Sequence, residues 1–274
     1  MPELAEVETL KRYIEKHALF ERIRGVKVRR ATLRYPINIL ELENNASSAI
    51  IISTNRIAKF LTLELDNSNS IIFHLGMSGR LTIKPEDYNS EKHDHVIFKL
   101  YSGKQLVFND PRRFGMIYCC KSSDLRGQPF LKNMGQEPLE DNFSTNYLIL
   151  KLSNKKASIK SAIMDSRIVV GIGNIYAAES LFKAKIHPER IACSLSYKEV
   201  ESLVVSIKEV LKKAINAGGT SLKDFVNGDN KPGYFQQELN VYGRSGKACF
   251  VCNSSVRQTK QAGRATYFCP SCQL

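Results

Sequence analysis

No stretch of the chain approaches the roughly 18 consecutive apolar residues that a membrane span needs, and the opening residues Pro2 and Glu3 lack a signal peptide's basic-then-apolar pattern. These absences predict a soluble, cytoplasmic protein. Acidic residues are in deficit: 27 Asp and Glu stand against 40 Lys and Arg, for a formal charge of +13. A field of that sign favours a polyanionic partner such as nucleic acid, although solvated lysine faces give the same balance. Secretory-type cysteine pairing is missing too, because the 7 cysteines are odd in number and the chain is long. Reduced thiols and a metal site are the better expectation. Internal repeats and low-complexity tracts are absent. At roughly 150 residues per domain, 274 residues allow two domains and a small appendage.

What is present sorts by period. Leu4, Val7, Leu10, Ile14 and Ala18 recur at helical spacing, so residues 2 to 19 predict an amphipathic helix with Glu3, Glu6 and Glu8 in its opening turns. Short β-branched and aromatic runs follow at 49–53, 60–65, 71–74, 96–100, 106–108 and 116–119, separated by turn residues, which predicts a β-sandwich ending near residue 130. Beyond Pro138 the pattern turns helical, over 145–152, 158–165, 174–184 and 196–217. Ser196 and Glu199 form a capping box for the last of these, and Gly218-Gly219 ends it. Residues 219 to 240 predict a mobile loop. The fold class is therefore α+β, divided as 1–130, 131–240 and 241–274.

The third part carries Cys249-x2-Cys252, sixteen intervening residues, then Cys269-x2-Cys272. That spacing lets four thiolates close a tetrahedral zinc site, and with no open position the zinc would be structural. Between the pairs, SSVRQTKQAGRATYF predicts a hairpin with Lys260, Gln261, Gly263 and Arg264 near its tip, either aimed at a polyanion or merely solvated.

At the other end, removal of Met1 would leave Pro2 a free secondary amine followed at once by a carboxylate. An α-amino group titrates near 7.7 to 8.0, and a helix N-terminus disfavours its protonated form, which suits covalent catalysis at a sugar's anomeric carbon. Proline at a first helical position also occurs for conformational reasons alone.

The blocks PELAEVETL, RIAKFL, HLGMSGRL, EKHDH, DPRRFG, GIGNIYAAESLF, GGTSLKDF and KPGYFQQELNVYGR occur in this order before the cysteine pairs. Together they resemble the formamidopyrimidine-DNA glycosylase family over essentially the whole chain. The resemblance implies a bifunctional glycosylase and lyase that removes oxidised purines from double-stranded DNA, acts as a monomer, and holds DNA between a sandwich and a helix-two-turn-helix domain backed by a zinc ribbon.

By residue, it implies that Pro2 is the nucleophile, Glu3 its acid-base partner, Lys59 a proton-transfer group and Arg264 the group for a second elimination. Met77, Arg112 and Phe114 match a triad that fills the gap left by an extruded base, a chemistry that suits two wedges and a hydrogen-bonding guanidinium. His93, Arg112, Lys155 and Asn174 match phosphate contacts. Two positions depart from the pattern: Ala5 stands where many members have a second proline, and Ile57 replaces a frequent arginine or glycine.

Other readings remain open at this point. GIGNIYAA lacks the third glycine of a dinucleotide fingerprint and has no preceding βαβ pattern. His93, Asp94 and His95 suggest a second metal, or a loop tied by hydrogen bonds. An endonuclease VIII-type enzyme for oxidised pyrimidines shares the architecture, and a noncatalytic zinc-ribbon DNA-binding protein would explain charge and cysteines. No redox or nucleotide cofactor is expected.

Overall fold

In the computed structural model, which describes residues 2–220 and 235–274, the first helix starts where a buried carboxylate can close its end. Glu3 has extended backbone (φ −105°, ψ −167°) and caps α1 (Leu4–Ala18), while Glu6 reaches back to accept from the Glu3 N–H at 2.8 Å. The chain divides into two units, one of Met1–Lys132 with Gly218–Tyr234 and one of Asn133–Ala217 with Phe235–Leu274.

The first unit is a sandwich of two four-stranded antiparallel sheets. After α1 come β1 (Ile23–Val28), α2 (Ile39–Ala46), β2 (Ile51–Ile57), β3 (Phe60–Leu65), β4 (Asn69–His74), β5 (Arg80–Lys84), β6 (Asp94–Leu100), β7 (Gln105–Asn109) and β8 (Met116–Lys121). One sheet runs β1-β6-β7-β5 and the other β2-β3-β4-β8. Alternating apolar residues meet between them: Val96, Phe98, Leu106 and Phe108 from one sheet, Leu61, Leu63, Ile71 and Phe73 from the other, and Val7, Leu10 and Ile14 of α1 in the same core. Phe73 touches the facing sheet directly, its ring 5.9 Å from Phe98 and 6.2 Å from Phe108. Five of the strands follow the sequence expectation. The 49–53 run is displaced, however: its strand is Ile51–Ile57, and β1, β5 and α2 add elements that the sequence pattern does not announce.

The second unit holds α3 (Thr145–Leu152), α4 (Ile159–Ile163), α5 (Asn174–Lys183), α6 (Tyr197–Asn216) and the hairpin β9 (Arg257–Gln261) with β10 (Arg264–Phe268). Helix α6 has the capping box read from sequence: Ser196 N–H donates to Glu199 at 2.7 Å, and Glu199 N–H donates to the Ser196 hydroxyl at 3.4 Å. Such a cap is worth about 1 kcal/mol. Its buried stripe is Val200, Leu203, Val204, Ile207, Val210, Leu211, Ala214 and Ile215. The loop expected over 219–240 is corrected at its far end, where Phe235–Glu238 forms a 3-10 turn with Phe235 and Leu239 buried. Residues 221–234, which include most of GGTSLKDF, lie outside the described residues. Among the described residues no helix is long and apolar enough to cross a membrane.

Candidate active site

Pro2 and Glu3 are both buried, immediately ahead of α1. Proline's preference for the first helical position does not account for Pro2, because that position is Leu4. Ala5, the first departure from the family pattern, is fully buried in the first turn of α1. Glu6 adds something that sequence reasoning missed. Its buried carboxylate accepts from Glu3 N–H with one oxygen and from Thr220 N–H with the other, each at 2.8 Å. Gly219, at φ +82°, lets the backbone approach so closely that a Cβ there would lie 3.1 Å from that carboxylate.

Lys59 is half-buried in the tight turn between β2 and β3, where Ala58 takes φ +55°. Arg56 fastens this turn, donating to Ala58 O at 3.0 Å and pairing with Glu8 of α1 at 3.1 Å. Ile57, the second departure, is buried as the last residue of β2.

Met77 and Phe114 are 37% and 45% exposed, on the β4–β5 and β7–β8 connections, so neither serves the core. Arg112, also exposed, holds its guanidinium 5.0 Å from the Phe114 ring centre. His74, beneath the Met77 turn, accepts from Gly76 N–H at 3.0 Å through Nδ1. Burial, with Arg34 and Lys59 nearby, pushes its pKa down to about 4, so the ring is neutral as that bond requires.

His93 is half-buried and accepts from Asp110 N–H through its carbonyl at 3.0 Å. Its neighbours are committed elsewhere. His95 Nε2 bonds Asp110 O at 2.8 Å, and the Asp94 carboxylate accepts from Tyr88, Glu91 N–H and Asn109. The loop tied by hydrogen bonds is therefore the observed one. Among the described residues, the only His, Cys, Asp and Glu group arranged to hold an ion is Cys249, Cys252, Cys269 and Cys272.

In the second unit, Lys155 is half-buried after α3, and Asn174 opens α5 behind Gly173. The Asn174 amide donates to Ala265 O at 2.9 Å, spending within the protein a group the resemblance assigned to phosphate. Arg264 is exposed at the start of β10, one residue past a two-residue turn in which Ala262 and Gly263 both take positive φ. Two buried residues that sequence reasoning passed over steady this region. Lys160 donates to Ala265 O at 3.1 Å and Thr266 Oγ1 at 2.7 Å, and Glu179 accepts from the N–H groups of Asn240, Val241 and Tyr242.

The four sulfurs lie within 4.8 Å of one another, with 3.9 Å between Cys249 and Cys272 and 3.4 Å between Cys252 and Cys269. Tetrahedral zinc with its usual sulfur bonds spaces thiolates by roughly 3.8 Å, so the set fits that ion. Val251 N–H also donates to Cys249 Sγ at 3.4 Å.

Two family models match the chain: the formamidopyrimidine-DNA glycosylase N-terminal domain over residues 1–117 and the H2TH domain of the same proteins over 134–226. A base-excision-repair DNA glycosylase is the class that the fold and these matches define. A Rickettsia felis formamidopyrimidine-DNA glycosylase is 51% identical over 273 residues, 100% of this chain and 98% of the relative. The MutM (Fpg) structure from Thermus thermophilus superposes with a TM-score of 0.89 at 35% identity, covering 99% of this chain and 98% of that one. Lactococcus lactis Fpg, solved with DNA containing an abasic site and also with DNA containing an oxidised pyrimidine, gives 0.92 at 33% identity with 99% of each chain covered. The chain belongs to the formamidopyrimidine-DNA glycosylase family.

Proposed function

We propose that the protein excises oxidised purines, 8-oxoguanine and formamidopyrimidines, from double-stranded DNA and then cuts the backbone at the resulting site. The observation that carries this reading is the Pro2–Glu3 pair, buried and standing just outside the first helix. With Met1 removed, the Pro2 amine attacks C1′ of the damaged nucleotide. The C1′–base bond breaks, and the base leaves with the bonding pair and takes up a proton. Glu3 handles the proton at the sugar as its ring opens, leaving Pro2 joined to C1′ as an iminium. Loss of a C2′ proton then expels the 3′ phosphate, with Lys59 as the proton-transfer group. Arg264 assists the second elimination at the 5′ side.

Met77, Arg112 and Phe114 fill the gap in the stack, and their exposure on turns supports that role. His93, Arg112, Lys155 and Asn174 contact phosphates. For Asn174 this means releasing Ala265 O or using its own backbone N–H at the start of α5. Cys249, Cys252, Cys269 and Cys272 hold one structural zinc ion, which folds the hairpin bearing Arg264 and takes no part in bond breaking. The protein works as a cytoplasmic monomer in three functional parts: 1–130 for chemistry, 131–240 for DNA and lesion contact, and 241–274 as the zinc ribbon. The Lactococcus lactis structure with an oxidised pyrimidine favours, as a second reading, a lesion range extending beyond purines.

Borohydride trapping on duplex DNA with 8-oxoguanine opposite cytosine tests the nucleophile. A covalent adduct mapping to Pro2 in the wild type and missing in Pro2→Gly is expected. An active protein that retains Met1, whose Pro2 nitrogen would be an amide, sinks the assignment.

A further inference from the structure

The three wedge residues lie on two connections, Met77 between β4 and β5 and Arg112 and Phe114 between β7 and β8, and being exposed they are not locked by core packing. Something else must fix their backbones. Asp110 is fully buried just past the end of β7, and no cation pairs with its carboxylate among the described residues. One of its oxygens accepts from the Ser78 hydroxyl at 2.6 Å and from Arg112 N–H at 3.3 Å. The other accepts from Gly115 N–H at 2.7 Å. Ser78 directly follows Met77, and Gly115 directly follows Phe114, so a single carboxylate reaches a neighbour of each wedge and the backbone of Arg112 itself. The Ser78 hydroxyl closes the loop by accepting from Arg112 N–H at 3.1 Å.

Around this clasp the two turns touch backbone to backbone. A Cβ on Gly76, which has φ +62°, would fall 2.4 Å from the Phe114 carbonyl carbon, and one on Gly115 would meet the Phe108 ring at 2.6 Å. Only glycine permits that approach. A buried carboxylate is costly unless fully hydrogen-bonded, and bonds to an ionised acceptor are the strong kind. Here they are concentrated on the two turns that must enter DNA together.

We propose that Asp110 is a positioning residue for base extrusion, clasping the Met77 turn and the Arg112–Phe114 turn into one rigid wedge. It touches no substrate and acts through the three side chains it places. The inference rests on the gap-filling reading given above. Its physical content is that pre-ordered wedges lose little freedom on insertion, whereas loosened ones enter the stack out of register.

The test compares full-length wild type with Asp110→Asn, an isosteric change that puts an amide N–H where a donor already points. Single-turnover cleavage is measured on duplex DNA carrying 8-oxoguanine and on single-stranded DNA carrying an abasic site, which has no stack to invade. A 2-aminopurine opposite the lesion reports gap filling, and thermal melting checks the fold. We expect duplex cleavage to fall by roughly 10- to 100-fold with a smaller fluorescence change, while single-strand cleavage stays within about twofold. Equal losses on both substrates would mean a merely structural residue and would overturn the proposal, as would unchanged duplex cleavage. Should Asp110→Asn fail to fold, Ser78→Ala leaves the carboxylate in place and must still lower the duplex-to-single-strand ratio; an unaltered ratio overturns the proposal. A wild type inactive on both substrates removes the glycosylase reading and this inference with it, whereas an active wild type matched by its variants removes the inference alone.

Discussion

His74 carries two jobs on one ring: it terminates β4 and accepts the Gly76 N–H under the Met77 turn. Its pKa, lowered to about 4 by burial and by Arg34 and Lys59, lies below the unfolded value of 6.5. The unfolded chain therefore binds the proton more readily, so stability is lost as pH falls from 6.5 towards 4 and the loss is complete below that window. The shift corresponds to roughly 3 kcal/mol across it. Urea midpoints at pH 7 and pH 4.5 should show a smaller drop for His74→Gln than for wild type; equal drops would remove His74 from the account. Residues such as Pro2, Lys59, Met77 and the four cysteines were legible in the sequence because short motifs carry them. Glu6, Asp110 and Glu179 were not, because what they do is defined by partners remote in the chain: Glu6 bonds Thr220 across a separation of 214 residues.

Elements were legible where pattern and punctuation agree. Helix α6 has a cap, a stripe and a Gly-Gly stop, and its ends fall within a residue of those expected from sequence. Strand β1 was hidden because IRGVKV mixes cations and glycine with its apolar residues, and β5, RLTIK, is short and flanked by charge. Helix α2 was hidden as well, because it spans only Ile39–Ala46 and holds two asparagines; the structure adds its Asn38 cap, which accepts from Glu41 N–H. The β9–β10 hairpin has little core of its own, with Thr266 and Phe268 its buried residues, and it leans on the four sulfurs and on Lys160. Cys252→Ser is therefore expected to release zinc, measurable by metal analysis, and to weaken DNA binding by on the order of tenfold or more, since structural zinc supplies much of such a segment's folding energy. Full affinity in a zinc-free variant would show the hairpin to be self-supporting.

For the molecule as a whole, the charge of +13 and the proposed phosphate contacts from both units imply binding governed by counterion release. The logarithm of affinity should fall linearly with that of salt concentration, at about −0.9 per phosphate neutralised, and Lys155→Ala should flatten the slope by roughly one contact. Affinity indifferent to salt would contradict the phosphate assignments. The first unit is also discontinuous, since residues 218–220 return to it after α3 to α6 have intervened. During synthesis, the Pro2–Glu3 end emerges first, yet the Glu6 contact with Thr220 cannot form until the whole helical segment has left the ribosome. The Pro2–Glu3 end thus meets its finished surroundings only after α6 exists, and a chain released early carries that end without the Glu6–Thr220 contact.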